Sequence, residues 1–166
     1  MTNQNKLKKI EEFVAEFFAK MTIEPSKIDV HEAMATVDAQ EDLLNDSGET
    51  IDISVQINEP QILIGQGGQT LFEIQRLIRT VLNKKIESKV RINLDINDYK
   101  KQKIDYLKDI VKDIADQVAK SGQEKSLSPM SSYERMVVHA ELAQRTDVLT
   151  ESQGDGIDRH IVIRPK

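Results

Sequence analysis

The sequence has 166 residues, no cysteine and a formal net charge of −5. Disulfides and thiolate metal sites are excluded, and the length suits one ordinary domain or two small ones sharing a core. Residues 1–21 are interrupted by Glu11, Glu12 and Glu16, and nothing approaches the ~20 apolar residues of a membrane span, so a cytoplasmic protein without membrane insertion is the expectation.

The acidic balance argues at first against a nucleic-acid partner, but the charge is uneven. Residues 60–103 hold nine basic side chains (Arg76, Arg79, Lys84, Lys85, Lys89, Arg91, Lys100, Lys101, Lys103) against four acidic ones (Glu73, Glu87, Asp95, Asp98). A local basic face attracts phosphates; the plainer reading is a solvated charge run.

In chain order, Leu7, Ile10, Phe13, Val14, Phe17 and Phe18 recur at spacings of three and four, which predicts an amphipathic helix over 6–21, ended by Pro25. Residues 28–37 read as a first strand and Asn45-Asp46-Ser47-Gly48 as a turn. Ile51, Ile53, Val55 and Ile57 alternate with polar residues, the clearest strand in the chain, and the polar turn suggests that these two strands pair antiparallel. A short apolar segment, 60–64, leads into Gly65-Gln66-Gly67-Gly68. Then Leu71, Ile74, Leu77, Ile78, Val81 and Leu82 form the stripe of a second helix. Val90, Ile92, Leu94 and Ile96 give a third alternating strand. Asp98 is placed to cap a long helix to about residue 120, striped by Ile104, Leu107, Ile110, Val111, Ile114 and Val118 and stopped by Gly122. An extended piece over 124–130 follows. A helix over 132–145 comes next, with Met136, Val137, Ala140 and Leu142 inward. Two strands, 148–152 and 161–163, flank the turn Gln153-Gly154-Asp155-Gly156.

The glycine run carries the first functional signal. Backbone N–H groups at a helix start are unpaired and partially positive, and glycines let a phosphate chain come close. Three classes use this device. A dinucleotide fingerprint needs a third glycine at position 70, which is Thr70, and a Walker loop needs a closing Gly-Lys-Ser/Thr, which is missing. A KH clamp needs G-x-x-G after an apolar residue and before an amphipathic helix, and Ile64-Gly65-Gln66-Gly67-Gly68 meets that requirement. The bland alternative is a tight turn capping a helix. Helix, strand, strand, loop, helix, strand is the order a small antiparallel sheet covered by helices shows.

Arg135 and His139 are four apart, so both project from one helix face. A guanidinium can fork onto a phosphate, and an imidazole can hydrogen-bond a phosphate or stack on a base. The alternative is a structural pair, with His139 packed on the strands and Arg135 on a surface carboxylate. Arg159, His160 and Arg164 are candidates to extend the same basic face. The three histidines, His31, His139 and His160, show no metal-ligand spacing, so neither a metal nor another cofactor is expected. Ser131, Ser132, Glu134 and His139 lack the pattern of an activated nucleophile, and Tyr133 is a lone aromatic able to stack on a base.

Ile62-Leu63-Ile64-Gly65 followed by Gly68-Gln69-Thr70-Leu71 resembles the KH loop of the bacterial Jag family, also called KhpB or EloR. Ser131-Ser132-Tyr133-Glu134-Arg135-Met136-Val137-Val138-His139 resembles the Arg-x-x-x-His domain that follows KH in that family. Thr150-Glu151-Ser152 and Arg159-His160-Ile161-Val162-Ile163 continue the match, which covers residues 5–166. The resemblance implies a non-catalytic RNA-binding protein linked to cell elongation, cell shape and division, which binds single-stranded RNA and pairs with a small KH-domain partner protein. The family also carries an N-terminal domain and linker that this sequence does not contain, whether because the gene is short or because the chain is truncated. Three residues depart from the pattern. Gln66 and Gly67 stand where the family usually has basic residues, and Met136 stands where arginine is frequent. Each missing phosphate contact flattens the salt dependence by about one unit of log–log slope, so weak, sequence-tolerant binding of about 10⁻⁴–10⁻⁶ M is expected.

The reading is therefore an α+β protein. A KH-like three-stranded sheet packed by helices occupies 1–97, a connecting helix 98–121 and a small α/β Arg-x-x-x-His domain 122–166. Its RNA-binding residues are Gly65, Gln66, Gly67, Gly68, Gln69, Thr70, Arg76, Arg79, Arg135, His139 and Arg159, and a homodimer is an open assembly. The competing readings are a protein-interaction module that pairs with another KH protein and a nucleotide-binding enzyme using the glycine loop.

Overall fold

In a computed structural model that describes residues 3–33, 49–86 and 89–166, the chain is α+β and divides into two compact units, 1–100 and 101–166. In the first unit, helix α1 (Asn3–Lys20) buries Ile10, Val14 and Phe18 completely. It stops well before Pro25. Thr22 takes φ +59°, and the Thr22 and Ile23 N–H groups return to the Ala19 and Phe18 carbonyls, a Schellman-type ending that needs no proline.

Strand β1 (Lys27–Glu32) pairs antiparallel with β2 (Glu49–Gln56), from Lys27 opposite Gln56 to Glu32 opposite Ile51, as the sequence suggested. The part of the first strand expected at 34–37 and the turn at 45–48 lie outside the described residues. Strand β3 (Val90–Ile96), however, runs parallel to β2, so the sheet β1-β2-β3 is mixed rather than antiparallel. The reason is the connection. Parallel neighbours need a crossover, and the helical segment between β2 and β3 supplies it: a single turn α2 (Gln61–Ile64) and the helix α3 (Gln69–Lys85).

One face of this sheet packs Ile51, Ile53, Val55, Ile92, Leu94 and Ile96 against α1 and against Leu71, Ile74, Ile78 and Leu82 of α3. Phe18→Ala in this core costs about 3–5 kcal/mol. Leu77, expected in the α3 stripe, is instead 51% exposed. At the β3 edge, α3 side chains occupy outward backbone groups. Asn83 Oδ1 accepts the Val90 N–H at 2.9 Å, its amide donates to the Val90 carbonyl at 3.2 Å, and Gln75 Oε1 accepts the Leu94 N–H at 3.0 Å. These contacts occupy part of that edge.

Helix α4 (Tyr99–Ser121) follows two residues of left-handed backbone, Asn97 at φ +52° and Asp98 at φ +56°. Asp98 was the expected cap, but the Asp95 carboxylate accepts the Lys100 N–H, at 3.2 Å. The far end closes as expected, with the Gly122 N–H on the Val118 carbonyl.

The second unit has its own core. Val111, Ala115 and Val118 of α4 meet Val138 and Leu142 of α5 (Ser132–Leu142), Val148 of β5 (Val148–Gln153), and Ile161 and Ile163 of β6 (His160–Pro165). The long helix read as a connector thus supplies a wall of this core. A short β4 (Lys125–Ser126) completes an antiparallel sheet of order β4-β6-β5. Helix α5 ends at Leu142, and its buried residues are Glu134, Val137, Val138 and Leu142, while Met136 is 48% exposed and Ala140 is exposed. Val137 and Leu142 are buried as expected, whereas Met136 and Ala140 are not, because the apolar stripe is short and polar groups set the start of the helix.

Candidate nucleic-acid interface

The glycine loop is built by crowding on both sides. In α2, Leu63 is buried, Ile62 is 82% exposed, and the Gly65 N–H closes onto the Gln61 carbonyl at 2.9 Å. Gly65 then takes φ +70° and Gly68 φ +89°, conformations that L side chains rarely adopt. Space forbids a side chain too: a Cβ on Gly65 would lie 2.1 Å from Thr70 Oγ1, and one on Gly68 would lie 2.8 Å from Tyr99 Cε1. Gln66 and Gly67 are exposed between them. Among the described residues no side chain caps α3 at Gly68, so the positive end of the helix dipole lies beside the exposed loop. Thr70 acts as a buttress against Gly65, and the exposed Gln69 amide donates to Glu73 at 3.2 Å.

Several of the basic residues of 60–103 are engaged by nearby acidic, aromatic or amide groups. Arg76 is exposed, 5.9 Å from the Phe72 ring centroid and 3.6 Å from Glu73, and Arg79 is half-buried. Arg76 lies eight residues beyond Gly68, about 12 Å along the helix. Lys85 sits over the Phe13 ring at 4.8 Å and 3.8 Å from Glu16. The Lys100 ammonium donates to Gln75 (3.0 Å) and Asn93 (2.5 Å), and Lys103 pairs with Glu134 at 2.7 Å. Asp95 beside this network is pushed above the usual carboxylate range by burial, against the Lys100 and Ile96 N–H groups and the Lys100 charge.

In the second unit a capping box sets the direction of α5. The Glu134 N–H donates to Ser131 Oγ at 3.3 Å, and the Ser131 N–H donates to Glu134 Oε2 at 2.8 Å. Glu134 is only 8% exposed. Burial pushes its carboxyl up, but the Lys103 ammonium and the Ser131 N–H and hydroxyl outweigh that and hold it below its ordinary value. Ser131 and Glu134 are therefore occupied with the helix start and form no nucleophile–base pair with His139. Among the described residues no group of three or more acidic or histidine side chains could hold a metal ion.

From that start, Arg135 projects onto the Met130 carbonyl (Nη1, 2.8 Å) and the Ser132 hydroxyl (Nη2, 3.0 Å), not onto a carboxylate. The Met130 N–H in turn reaches the Arg159 carbonyl at 3.1 Å. The exposed Arg159 guanidinium donates to Ser152 Oγ at 3.2 Å, and His139 Nδ1 lies 2.7 Å from Thr150 Oγ1. Thr150 and Ser152 are two apart on β5 and share a face. This chain of contacts gathers Arg135, His139 and Arg159 with the hydroxyls of Ser132, Thr150 and Ser152. Thr150 and Ser152 stood in the motif, but no sequence pattern marked them as site residues. Arg164 does not extend the basic face, since Glu124 and Glu151 bracket it at 2.8 Å each. His160 Nδ1 is 2.9 Å from the Asp158 carbonyl.

A basic and hydroxyl-bearing corner where a helix meets a small antiparallel sheet fits an R-3-H domain, named for its Arg-x-x-x-His motif, and the model of that domain family matches residues 105–165. The chain is also similar to proteins named RNA-binding protein KhpB. That from Clostridium symbiosum is 36% identical over 129 residues, covering 70% of this chain and 58% of the relative. That from Bacillus subtilis (strain 168) is 30% identical over 125 residues, covering 74% and 60%. That from Streptococcus pneumoniae (strain ATCC BAA-255 / R6) is 27% identical over 128 residues, covering 76% and 39%. The chain is thus similar to proteins of the KhpB family, the one its motifs resemble, and spans less than two thirds of the length of these relatives.

Proposed function

We propose that the protein binds single-stranded RNA and catalyses no reaction on it. On this reading residues 3–100 act as a KH-type clamp. The exposed loop at Gln66 and Gly67 and the start of α3 lie against the sugar-phosphate chain, and Arg135, His139 and Arg159 hold a further stretch. The observation that carries it is the side-chain-free, uncapped entry to α3, where the helix dipole favours an anion. The names of the relatives support the ligand class, and the post-transcriptional role in elongation and division implied by the resemblance belongs to the same proposal.

The test is fluorescence anisotropy of a short labelled single-stranded RNA over a salt series. Micromolar affinity that falls with salt is expected, with each neutralised phosphate adding about 0.7 to the log–log slope. The exposed Ile62 beside a loop without charge favours a second reading, a surface that pairs with another KH protein. A slope near zero would favour that reading.

A further inference from the structure

We infer that Tyr99 is an RNA-contacting residue, its phenol O–H donating to a phosphate oxygen of the nucleotide seated on the 65–68 loop; this rests on the clamp reading above. The geometry begins with an unusual turn. Asn97 and Asp98 both adopt left-handed backbone, which carries a conformational cost in non-glycine residues even though Asn and Asp bear it best. The turn is pinned in place. The Asn97 side chain accepts the Ile57 N–H at 2.8 Å and donates to the Ile57 carbonyl at 2.7 Å, and the Asn97 N–H reaches the Val55 carbonyl at 3.0 Å. Asp95 then catches the Lys100 N–H and starts α4.

What this turn delivers is the Tyr99 ring, set against the glycine loop. A Cβ on Gly68 would lie 2.8 Å from Tyr99 Cε1 and 3.3 Å from its hydroxyl oxygen. The ring is anchored because it packs on the first core and is half-buried. Among the described residues the hydroxyl has no hydrogen-bond partner, and no side-chain polar atom there is both sealed from solvent and unpaired, so the phenol oxygen stays reachable. An anchored ring with an unused donor beside exposed backbone supplies an orienting contact that Gln66 and Gly67 cannot supply as cations.

A neutral donor releases no counterion, and that separates its effect from a charge effect. Tyr99→Phe is expected to weaken binding of a short single-stranded RNA about three- to tenfold, the loss of one net hydrogen bond, with an unchanged salt slope and an unchanged melting temperature. Wild-type affinity in Tyr99→Phe would overturn the inference, as would a weakened variant whose salt slope or melting temperature also changes. Gln66→Glu with Gly67→Asp is measured in parallel. If that pair loses binding while Tyr99→Phe does not, the inference fails and the clamp stands. If neither loses binding, the clamp fails with it.

Discussion

His139 Nδ1 lies 2.7 Å from the hydroxyl of Thr150, which ties helix α5 to strand β5. The ring therefore has a structural task as well as a place in the proposed interface, and the two can be separated. Thr150→Val removes the partner and is expected to cost about 1 kcal/mol in urea unfolding while RNA affinity changes little. His139→Ala is expected to lose stability and also RNA affinity. Equal affinity in His139→Ala and wild type would leave the imidazole with the structural task alone.

Arg135 is held in place by neutral acceptors, the Met130 carbonyl and the Ser132 hydroxyl, so its charge is not cancelled by those contacts. Arg135→Gln is expected to weaken RNA binding uniformly across sequences and to lower the salt slope by about 0.7. Arg164→Gln, by contrast, removes a cation already bracketed by Glu124 and Glu151 and is expected to leave the slope where it was. Equal slopes for wild type and Arg135→Gln would remove Arg135 from the interface.

Glu134 carries a pH dependence whose sign follows from its pairing. Its folded-state pKa is held below the ordinary 4.5, so its contribution is fully present above the unfolded value and is lost as pH falls through the folded one. Glu134→Gln is expected to cost about 1.5–3 kcal/mol at neutral pH, because it discharges the acceptor of Lys103 and Ser131. It is also expected to flatten the acid limb of the stability curve below about pH 5. Asp95 has the opposite sign. Its raised pKa means that ionisation costs stability as pH rises, so Asp95→Asn is expected to be neutral or stabilising at pH 7. Denaturant midpoints between pH 3 and pH 8 check both.

Much of this was legible in the sequence, for identifiable reasons. The alternation of Ile51, Ile53 and Val55 and of Ile92, Leu94 and Ile96 marked the buried sheet face, since side chains change sides at every residue. The same alternation is blind to strand direction, and the parallel β2–β3 pairing escaped it. The glycines announced the loop, but not the reason for them, which lies in Thr70 and in Tyr99, thirty-one positions from Gly68 in the chain. Tyr99 itself left only a faint trace, the Asn97-Asp98 pair that tolerates left-handed backbone. The spacing of Arg135 and His139 put both on one helix face, while Ser152 and Thr150 required the fold to bring β5 under it.

Crowding at the loop makes the glycines unequal. Gly65→Ala puts its Cβ into Thr70 and is expected to lower the melting temperature sharply. Gly67→Ala meets nothing within 4 Å and is expected to cost about 1–2 kcal/mol for its φ of +62° alone. Thermal melts of the two variants rank them, and equal losses would contradict the packing described at Gly65.

The most direct measurement is the affinity of a short single-stranded RNA for the wild-type chain and for Gln66→Glu/Gly67→Asp. Both substitutions sit at exposed positions with room for a side chain. A drop of tenfold or more in affinity, with unfolding intact and two-state by circular dichroism, is the predicted result. Unchanged affinity in the acidic variant would place the RNA elsewhere on the molecule and contradict the account.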